Sequence, residues 1–394
     1  MSLFKQIGAV TVLNLQNVPS RLGTSLVIVV GIAGVVGVLI SVLAMATGFS
    51  DALTNTGRAD RAIVMRGGST SELGSTLSRD NALTILDAPG VRKTAGGKPV
   101  GSAEEIVIVD LPQKGSDSGV NVTLRGIGPQ GLATHPEIKL AAGRMFQPAV
   151  RELIVGKSAQ VQFKGLEIGS HIAFRDSDWT VVGTFESGGG AHESELLADA
   201  ETVMSAYRRN LFQSVTVLLD DVAAFDRFKD ALTTNPTLSV DVRREPEYYA
   251  TMSATLQKIL FFVAYVVGGI MAVGALFGAL NTMYSAVSAR AVEIATLRAL
   301  GFGALPVVIS VFVEALLLSF GGGVIGALLA WVFFNGNAAN TLSGNFTQLV
   351  FHLTIGPPIM ALGILWACAI GMIGSLFPAI RAARLPIAVV LRAG

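Results

Sequence analysis

The chain has 394 residues, of which 51% are hydrophobic and 14% charged, and its mean hydropathy is +0.58. That profile excludes an ordinary soluble globular protein, yet it is too polar for a protein built wholly inside a membrane, so a mixed chain is expected. The formal net charge of +1 leaves no electrostatic footprint for nucleic acid, and the single cysteine, Cys368, can form neither an intramolecular disulfide nor a CxxC metal site.

Residues 1–22 carry Lys5 and Arg21, with apolar residues at Leu3, Ile7, Val10 and Leu13. This spacing predicts an amphipathic helix on the inner membrane surface, ending near Pro19. A signal peptide fits less well, because the first strongly apolar run starts only after Arg21 and is longer than an h-region. That run, Thr24 to Ala46, has no charge and is long enough to cross a bilayer, which predicts a first span over 23–48. Gly31, Gly34 and Gly37 within it suggest close packing against another helix.

From 49 to 257 charges, prolines and turn glycines return and no apolar run reaches spanning length. A domain of this size can hold its own core. Strands are expected at Arg61–Arg66, Glu104–Asp110, Val120–Arg125, Glu152–Val155, His171–Phe174, Trp179–Phe185 and Val215–Leu219. Helices are expected at Arg79–Leu86, with Ser78 as N-cap, at Ala198–Tyr207 and at Val222–Leu232. The domain is therefore α+β, with a strand-rich subdomain over about 118–208.

A second span is expected over 258–287, where Gly274 and Gly278 form a GxxxG packing face. Residues 288–304 follow as a short charged helix between two apolar runs. Arg290, Glu293 and Arg298 are the only charges between Lys258 and Glu314. Glu293 lies in the first half of that helix and Arg298 in its last turn, which suits the helix dipole. Gly301 and Gly303 stop it, and Pro306 starts the next helix. An ordinary inter-span loop and a docking helix for a soluble partner both fit this segment. The third span is expected over 305–334, a polar loop over 335–354, the fourth span over 355–380, and a tail over 381–394. Glu314 is an ionisable residue inside a span. A packing or interfacial role ranks above proton transfer for it. Gly322 and Gly326 are further packing candidates.

Lys and Arg occur in the N-terminal segment, the 288–304 segment and the tail, and are absent from the 335–354 loop. The positive-inside rule then places both termini and the charged helix in the cytoplasm. The expected fold is an α-helical membrane protein with four transmembrane helices and a large α+β extracytoplasmic domain inserted between the first and second.

No motif for chemistry survives inspection. Gly156-Lys157-Ser158 resembles the end of a phosphate-binding loop, but Arg151 stands where its first glycine belongs. Gly126, Gly128 and Gly131 match G-x-G-x-x-G, but Pro129 interrupts them and no helix is expected after them. His135, His171, His192 and His352 show no metal-ligand spacing. No catalytic residues, bound cofactor or metal are expected in this chain, and a membrane-bound enzyme is the least favoured class.

Residues Arg290-x-x-Glu293-Ile294-Ala295-Thr296-Leu297-Arg298-Ala299-Leu300-Gly301 resemble a signature of the FtsX-type permease domain. Glu314-Ala315-Leu316-Leu317-Leu318-Ser319 with the glycines after it is similar to that family's second block. Gly374, Pro378, Ala379, Arg381, Ala382, Ala383, Pro386 and Leu391-Arg392 resemble its tail. In the first half, Arg21 before a Gly-bearing span, Val122-Thr123-Leu124-Arg125-Gly126-Ile127 and Leu140-Ala141-Ala142-Gly143-Arg144-Met145-Phe146 resemble the MacB-type periplasmic core domain. So do Gly169, Val181-Val182-Gly183 and Phe185.

The resemblance implies a permease of the type VII ABC transporters in a bacterial inner membrane, lacking a fused ATPase. It implies a separate cytoplasmic ATPase dimer that uses ATP and Mg, and a second copy of the permease. A periplasmic adaptor with an outer-membrane channel is a further implied partner. The implied function is mechanotransmission: ATPase closure moves the spans and reshapes the outer domain for export or extrusion. The implied ATPase-coupling residues are Arg290, Glu293, Ile294, Leu297 and Arg298, with Gly274, Gly278, Glu314, Gly322 and Gly326 packing the spans. Alternatives from the same architecture are lipoprotein extraction, as in LolC and LolE, and an FtsX-like signal relay to a cell-wall hydrolase.

Overall fold

The computed structural model describes residues 3–16, 22–115, 119–342 and 347–384. Of the residues invoked above, Arg21, Pro19, Pro386, Leu391 and Arg392 lie outside it. In chain order the helices and strands are α1 (Leu3–Gln16), α2 (Leu22–Thr54), β1 (Arg61–Arg66), α3 (Arg79–Leu86), β2 (Gly101–Pro112), β3 (Gly119–Ile127), α4 (Gly131–Thr134) and β4 (Lys139–Gly143). Then come β5 (Glu152–Gly156), α5 (Lys157–Gln162), β6 (His171–Phe174), β7 (Ser177–Glu186), β8 (Leu196–Asp199), α6 (Ala200–Tyr207), β9 (Ser214–Leu218), α7 (Ala224–Thr233) and β10 (Val240–Arg244). The chain closes with α8 (Glu245–Ala289), α9 (Ala291–Ala299), α10 (Ala304–Phe334), β11 (Ala338–Leu342), β12 (Gln348–His352) and α11 (Pro357–Ala383).

The chain divides into two compact units. One is Met1–Ala46, Ile259–Asn337 and Leu353–Gly394; the other is Thr47–Lys258 and Ala338–His352. The first unit is helical. Among the described residues, four helices are long and apolar enough to cross a membrane: Ser25–Thr54, Leu256–Ala289, Ala304–Phe334 and Pro357–Ala383. α2 continues to Thr54 and α8 begins at Glu245. Both therefore extend beyond the apolar runs that announce them, because helical hydrogen bonding continues where hydropathy has already fallen.

Glycines set how closely these helices approach. On α10, a Cβ at Gly322 would stand 2.8 Å from the Val29 carbonyl oxygen, and one at Gly326 would stand 2.5 Å from that of Ala33. The two glycines are one turn apart, as are the two carbonyls of α2 that they face, so the backbones touch along that stripe. Gly363 of α11 instead lies against the Ile40 side chain, and Gly323 against the Ala367 methyl. Gly274 and Gly278 are different. No atom of the described residues lies within 4 Å of a Cβ placed there, nor at Gly31 or Gly34. Among the described residues, the GxxxG of α8 therefore makes no such close backbone approach. Gly326→Val should part α10 from α2, because a carbonyl cannot rotate away as a side chain can. We expect a loss of about 1–3 kcal/mol, read as a lower melting temperature in detergent, with Gly274→Val close to wild type.

α1 packs on α10, but not along the apolar stripe expected from its sequence. Val10 is buried and Gln6 and Asn14 flank it one turn away on either side, whereas Leu13 is 45% exposed and Phe4 83% exposed. Polar side chains lie on the covered face because each meets a partner: Gln6 Oε1 accepts from the Gly303 amide (3.3 Å), and Asn14 bonds Ser310 and Arg290.

The second unit is α+β. Its sheet runs β10-β1-β9-β2-β3-β8-β5-β7-β4, with β6 on β7. β2 is the hinge of the sheet: Gly101–Glu104 pair with β9, and Glu105–Pro112 pair with β3. One core, with Val64, Ile85, Val215, Val217 and Phe228, packs α3 and α7 on the β9 end. Another, with Val109, Leu124, Leu153, Val155, Trp179 and Leu196, fills the strand-rich middle. α3 starts where expected, with Ser78 Oγ accepting from the Asn81 amide at 3.2 Å. The helix expected from Ala198 begins only at Ala200, because Ala198 and Asp199 belong to strand β8, parallel to β3. Asp199 then caps α6 by accepting from Thr202 N at 3.0 Å. The 335–354 segment is more than a polar loop. It holds the β11–β12 hairpin, which belongs to the α+β unit. Val350 N donates to Ser194 Oγ (2.9 Å), and Phe351 packs edge-on against Phe49.

Candidate functional site

The charged segment forms α9. Arg290 separates it from α8, and Gly301 ends it at φ +94°, a conformation that suits glycine alone. Glu293 occupies its first turn and Arg298 its last. Its residues divide sharply by face. Ile294 and Ala295 are buried, and Leu297 and Arg298 half-buried. Arg298 Nη1 donates to the Ala383 carbonyl at 2.7 Å, tying the helix to the end of α11. The outward face carries Val292, Glu293, Thr296, Ala299 and Leu300. Val292 is 48% exposed and Leu300 73% exposed, so two large apolar side chains stand outward beside one carboxylate.

Arg290 does not sit where a contact residue would. It is 4% exposed, and its Nη1 donates to Glu314 Oε2 at 2.7 Å. Its Nη2 donates to Asn14 Oδ1, and Asn14 Nδ2 donates to Ser310 Oγ. Glu314 is 6% exposed. The intramembrane carboxylate thus has its partner, and the pair clamps three helices, α1, α10 and the α8–α9 corner. A buried ion pair removed from water is tolerated only with such satisfied geometry. The expected coupling set therefore splits. Glu293 is outward; Arg290 and Ile294 are anchors. Val292, Thr296 and Leu300 share the outward face with Glu293, and only the rotational phase of the helix reveals which side faces out.

The α+β unit contains a buried ionic network. Arg125, 4% exposed, directs all five N–H donors at three carboxylates. Its Nε and Nη2 take Glu195 (2.8 and 3.0 Å), its Nη1 and Nη2 take Glu72 (3.0 and 3.1 Å), and its Nη1 also takes Glu104 (2.6 Å). Burial disfavours the Glu104 charge, but Arg125 and His135 more than offset it and hold the carboxyl at about 2. Glu195 is likewise opposed by burial and held far below the usual carboxylate range by Arg125 and His192. Nearby, fully buried Arg61 pairs with Glu245 and Glu137 and donates to the carbonyls of Thr134 and Thr56. Read along the chain, Arg61 and Glu104 look like ordinary strand ends.

A family model for the MacB-like periplasmic core domain matches residues 22–235, and one for the FtsX-like permease C-terminal region matches 265–387. The chain belongs to the MacB/FtsX-type family of ABC permeases. Solved structures similar to this permease include the periplasmic region of MacB from Actinobacillus actinomycetemcomitans. The match has 15% identity and a TM-score of 0.37, and covers 52% of this chain and 94% of that one. Another is the extracellular domain of the noncanonic ABC-type transporter YknZ from Gram-positive bacteria, at 14% identity and a TM-score of 0.35, covering 46% of this chain and 99% of that one. No curated protein matches the chain. The family is the permease component of ABC transporters and is not itself catalytic.

The motifs shared with the family have physical reasons in this permease. In Leu124-Arg125-Gly126, the arginine is the hub of the ionic network, and a Cβ at Gly126 would stand 2.7 Å from the Ala200 backbone. Gly183 leaves room for the Arg144 carbonyl, which a Cβ would approach to 2.4 Å. Gly156, in the sequence that mimics a phosphate loop, is required because the Glu193 backbone lies against it; Lys157 pairs with Glu186. In α11, Gly371 lies against Ser319 of α10, and Gly374 against Ala279 of α8.

Proposed function

We propose that this permease couples a separate cytoplasmic ABC ATPase to its large outer domain, and that the outward face of α9 receives the ATPase. The observation that carries the reading is the two-sided character of α9. Val292, Glu293, Thr296 and Leu300 face outward, while Ile294, Arg298 and the Arg290–Glu314 pair lock the other side to α1, α10 and α11. A helix loaded on one face and anchored on the other passes displacement to the spans rather than absorbing it. Lys5, Arg290, Arg298, Arg381 and Arg384 mark the α9 end as cytoplasmic, and the hairpin segment without Lys or Arg marks the opposite end. The α+β unit is then extracytoplasmic, both termini are inside, and the host membrane is a bacterial inner membrane.

ATP and Mg act in the partner. A second copy of the permease is supported by α8, in whose apolar stretch 11% of the residues are buried, against 44% for α2. A periplasmic adaptor and an outer-membrane channel complete the proposed export system.

The test replaces Leu300 by Arg and Glu293 by Lys in the full chain. We expect normal membrane insertion, loss of the co-purifying ATPase, and loss of transport. Undiminished ATPase recovery with both variants would remove α9 as the docking element. An adaptor, a lipoprotein carrier or a cell-wall hydrolase recovered with the wild-type complex would select among export, lipoprotein extraction and signal relay.

A further inference from the structure

The α+β unit brings together three residues that are far apart in the chain: His135, directly after α4; His192, in the 3-10 turn Ala191–Ser194; and Glu245, the first residue of α8. None is more than 2% exposed. One donor nitrogen of each histidine and one carboxylate oxygen of Glu245 lie within 4.8 Å of one another. The rings stand 5.0 Å apart, edge to face.

The carboxylates that each imidazole meets through its other nitrogen distinguish this cluster from a chance meeting of polar groups. His192 Nδ1 lies 2.9 Å from Glu195 Oε2, and His135 Nδ1 lies 3.4 Å from Glu137 Oε1. Each imidazole is therefore oriented through Nδ1 by a carboxylate, the arrangement that fixes the tautomer of a metal-binding histidine. Nε2 is the nitrogen each ring has left to offer, and neither Nε2 has a hydrogen-bond partner among the described residues. Glu245 Oε2 already accepts from Arg61 Nε and the Arg58 amide, so its other oxygen is the available one. The charge balance points the same way. The carboxylates of Glu72, Glu104, Glu137, Glu195 and Glu245 surround only two guanidiniums, Arg61 and Arg125. With both imidazoles neutral and ligating through Nε2, that leaves an excess of buried negative charge, which the low-dielectric interior penalises and a divalent cation offsets.

We propose that His135 Nε2, His192 Nε2 and Glu245 bind a divalent cation of the zinc class. Two imidazoles and one carboxylate suit zinc, whereas calcium and magnesium require oxygen ligands throughout. Donors on a tetrahedral zinc stand roughly 3.3 Å apart, given metal–ligand bonds of about 2.0 Å, so binding draws the three side chains inward. Glu104 Oε1 is buried without a hydrogen-bond partner among the described residues, 3.5 Å from His135 Nε2, and is a candidate fourth donor. Four protein ligands would make the site structural. The ion ties the first turn of α8, the second membrane helix, to the α4 and β8 regions of the sheet.

The experiment uses tag-free, full-length permease in detergent, stripped with a chelator and titrated with ZnCl2. We expect one zinc per chain by calorimetry and metal analysis, and a raised melting temperature. His192→Ala and His135→Ala should abolish stoichiometric binding, while His171→Ala and His352→Ala, at exposed positions, retain it. Should the His192 or His135 variants not fold, zinc-edge X-ray absorption of the wild type still decides: the proposal requires scattering from two imidazoles and a nitrogen/oxygen shell. A folded wild type that takes up no stoichiometric zinc overturns it, as does binding that survives both buried-histidine substitutions or a spectrum without the imidazole pair.

Discussion

Arg125→Leu prevents the α+β unit from folding. The substitution leaves Glu72, Glu104 and Glu195 buried together without the guanidinium that engages all three. Removing one partner of a buried pair costs about 3–5 kcal/mol, and here three carboxylates lose the same partner. Domain stabilities are only about 5–15 kcal/mol in total, so the expected result is little folded protein, or a melting temperature lowered by tens of degrees. The comparison is Arg79→Ala, which breaks a salt bridge to Glu201 with both side chains more than half exposed. That change should cost no more than about 1 kcal/mol. Thermal melting and limited proteolysis of the two purified full-length variants measure the difference. Similar melting points would mean that the network is not what holds β2, β3 and the segment carrying Glu72 together. Adding Glu104→Gln and Glu195→Gln to Arg125→Leu should recover part of the loss by removing the unpaired charges.

The second large effect is expected at the clamp beneath α9. Glu314→Leu leaves the Arg290 guanidinium buried with Asn14 as its remaining side-chain partner among the described residues. We expect about 3–5 kcal/mol of destabilisation in detergent. The double replacement Arg290→Leu/Glu314→Leu should recover most of that stability, because two apolar side chains of similar size replace a buried pair at little net cost. Function should not return with it. α9 would keep its outward face but lose its charged tie to α10, so ATPase binding persists while transport falls. A double variant that transports as well as the wild type would show that the ion pair stabilises without coupling. A Glu314→Leu protein as stable as the wild type would show that Arg290 finds water or another acceptor once the carboxylate has gone.

The chain's broad organisation is legible from local composition. Spanning runs are a matter of consecutive apolar residues, and the candidate spans of α2, α8, α10 and α11 each contain one. The α9 segment is legible because charge between two such runs cannot remain in hydrocarbon. Strands such as Arg61–Arg66 and the Ser78-capped helix α3 are legible because alternation and N-cap chemistry act within a few residues. The β11–β12 hairpin was hidden because Ala338–Leu342 is polar and short and becomes a strand only through its pairing with Gln348–His352. β8 was hidden because Leu196–Asp199 runs into a good helix sequence; its parallel neighbour β3 lies far back in the chain.

The sequence by itself determined the membrane class, the spans, the inserted domain and the family. These rest on hydropathy runs and on motifs whose residues are close together. Only the tertiary structure decided what the charges do. Arg290 is buried as an anchor because the phase of the α8–α9 corner turns it toward Glu314 and Asn14. Gly322 and Gly326 meet backbone while Gly274 and Gly278 do not, a distinction that depends on which helix lies opposite. His135, His192 and Glu245 show no ligand spacing along the chain, yet the sheet gathers their donor atoms into one buried place. Coulomb and coordination energies depend on distance in space, and a linear sequence records that distance only for neighbours.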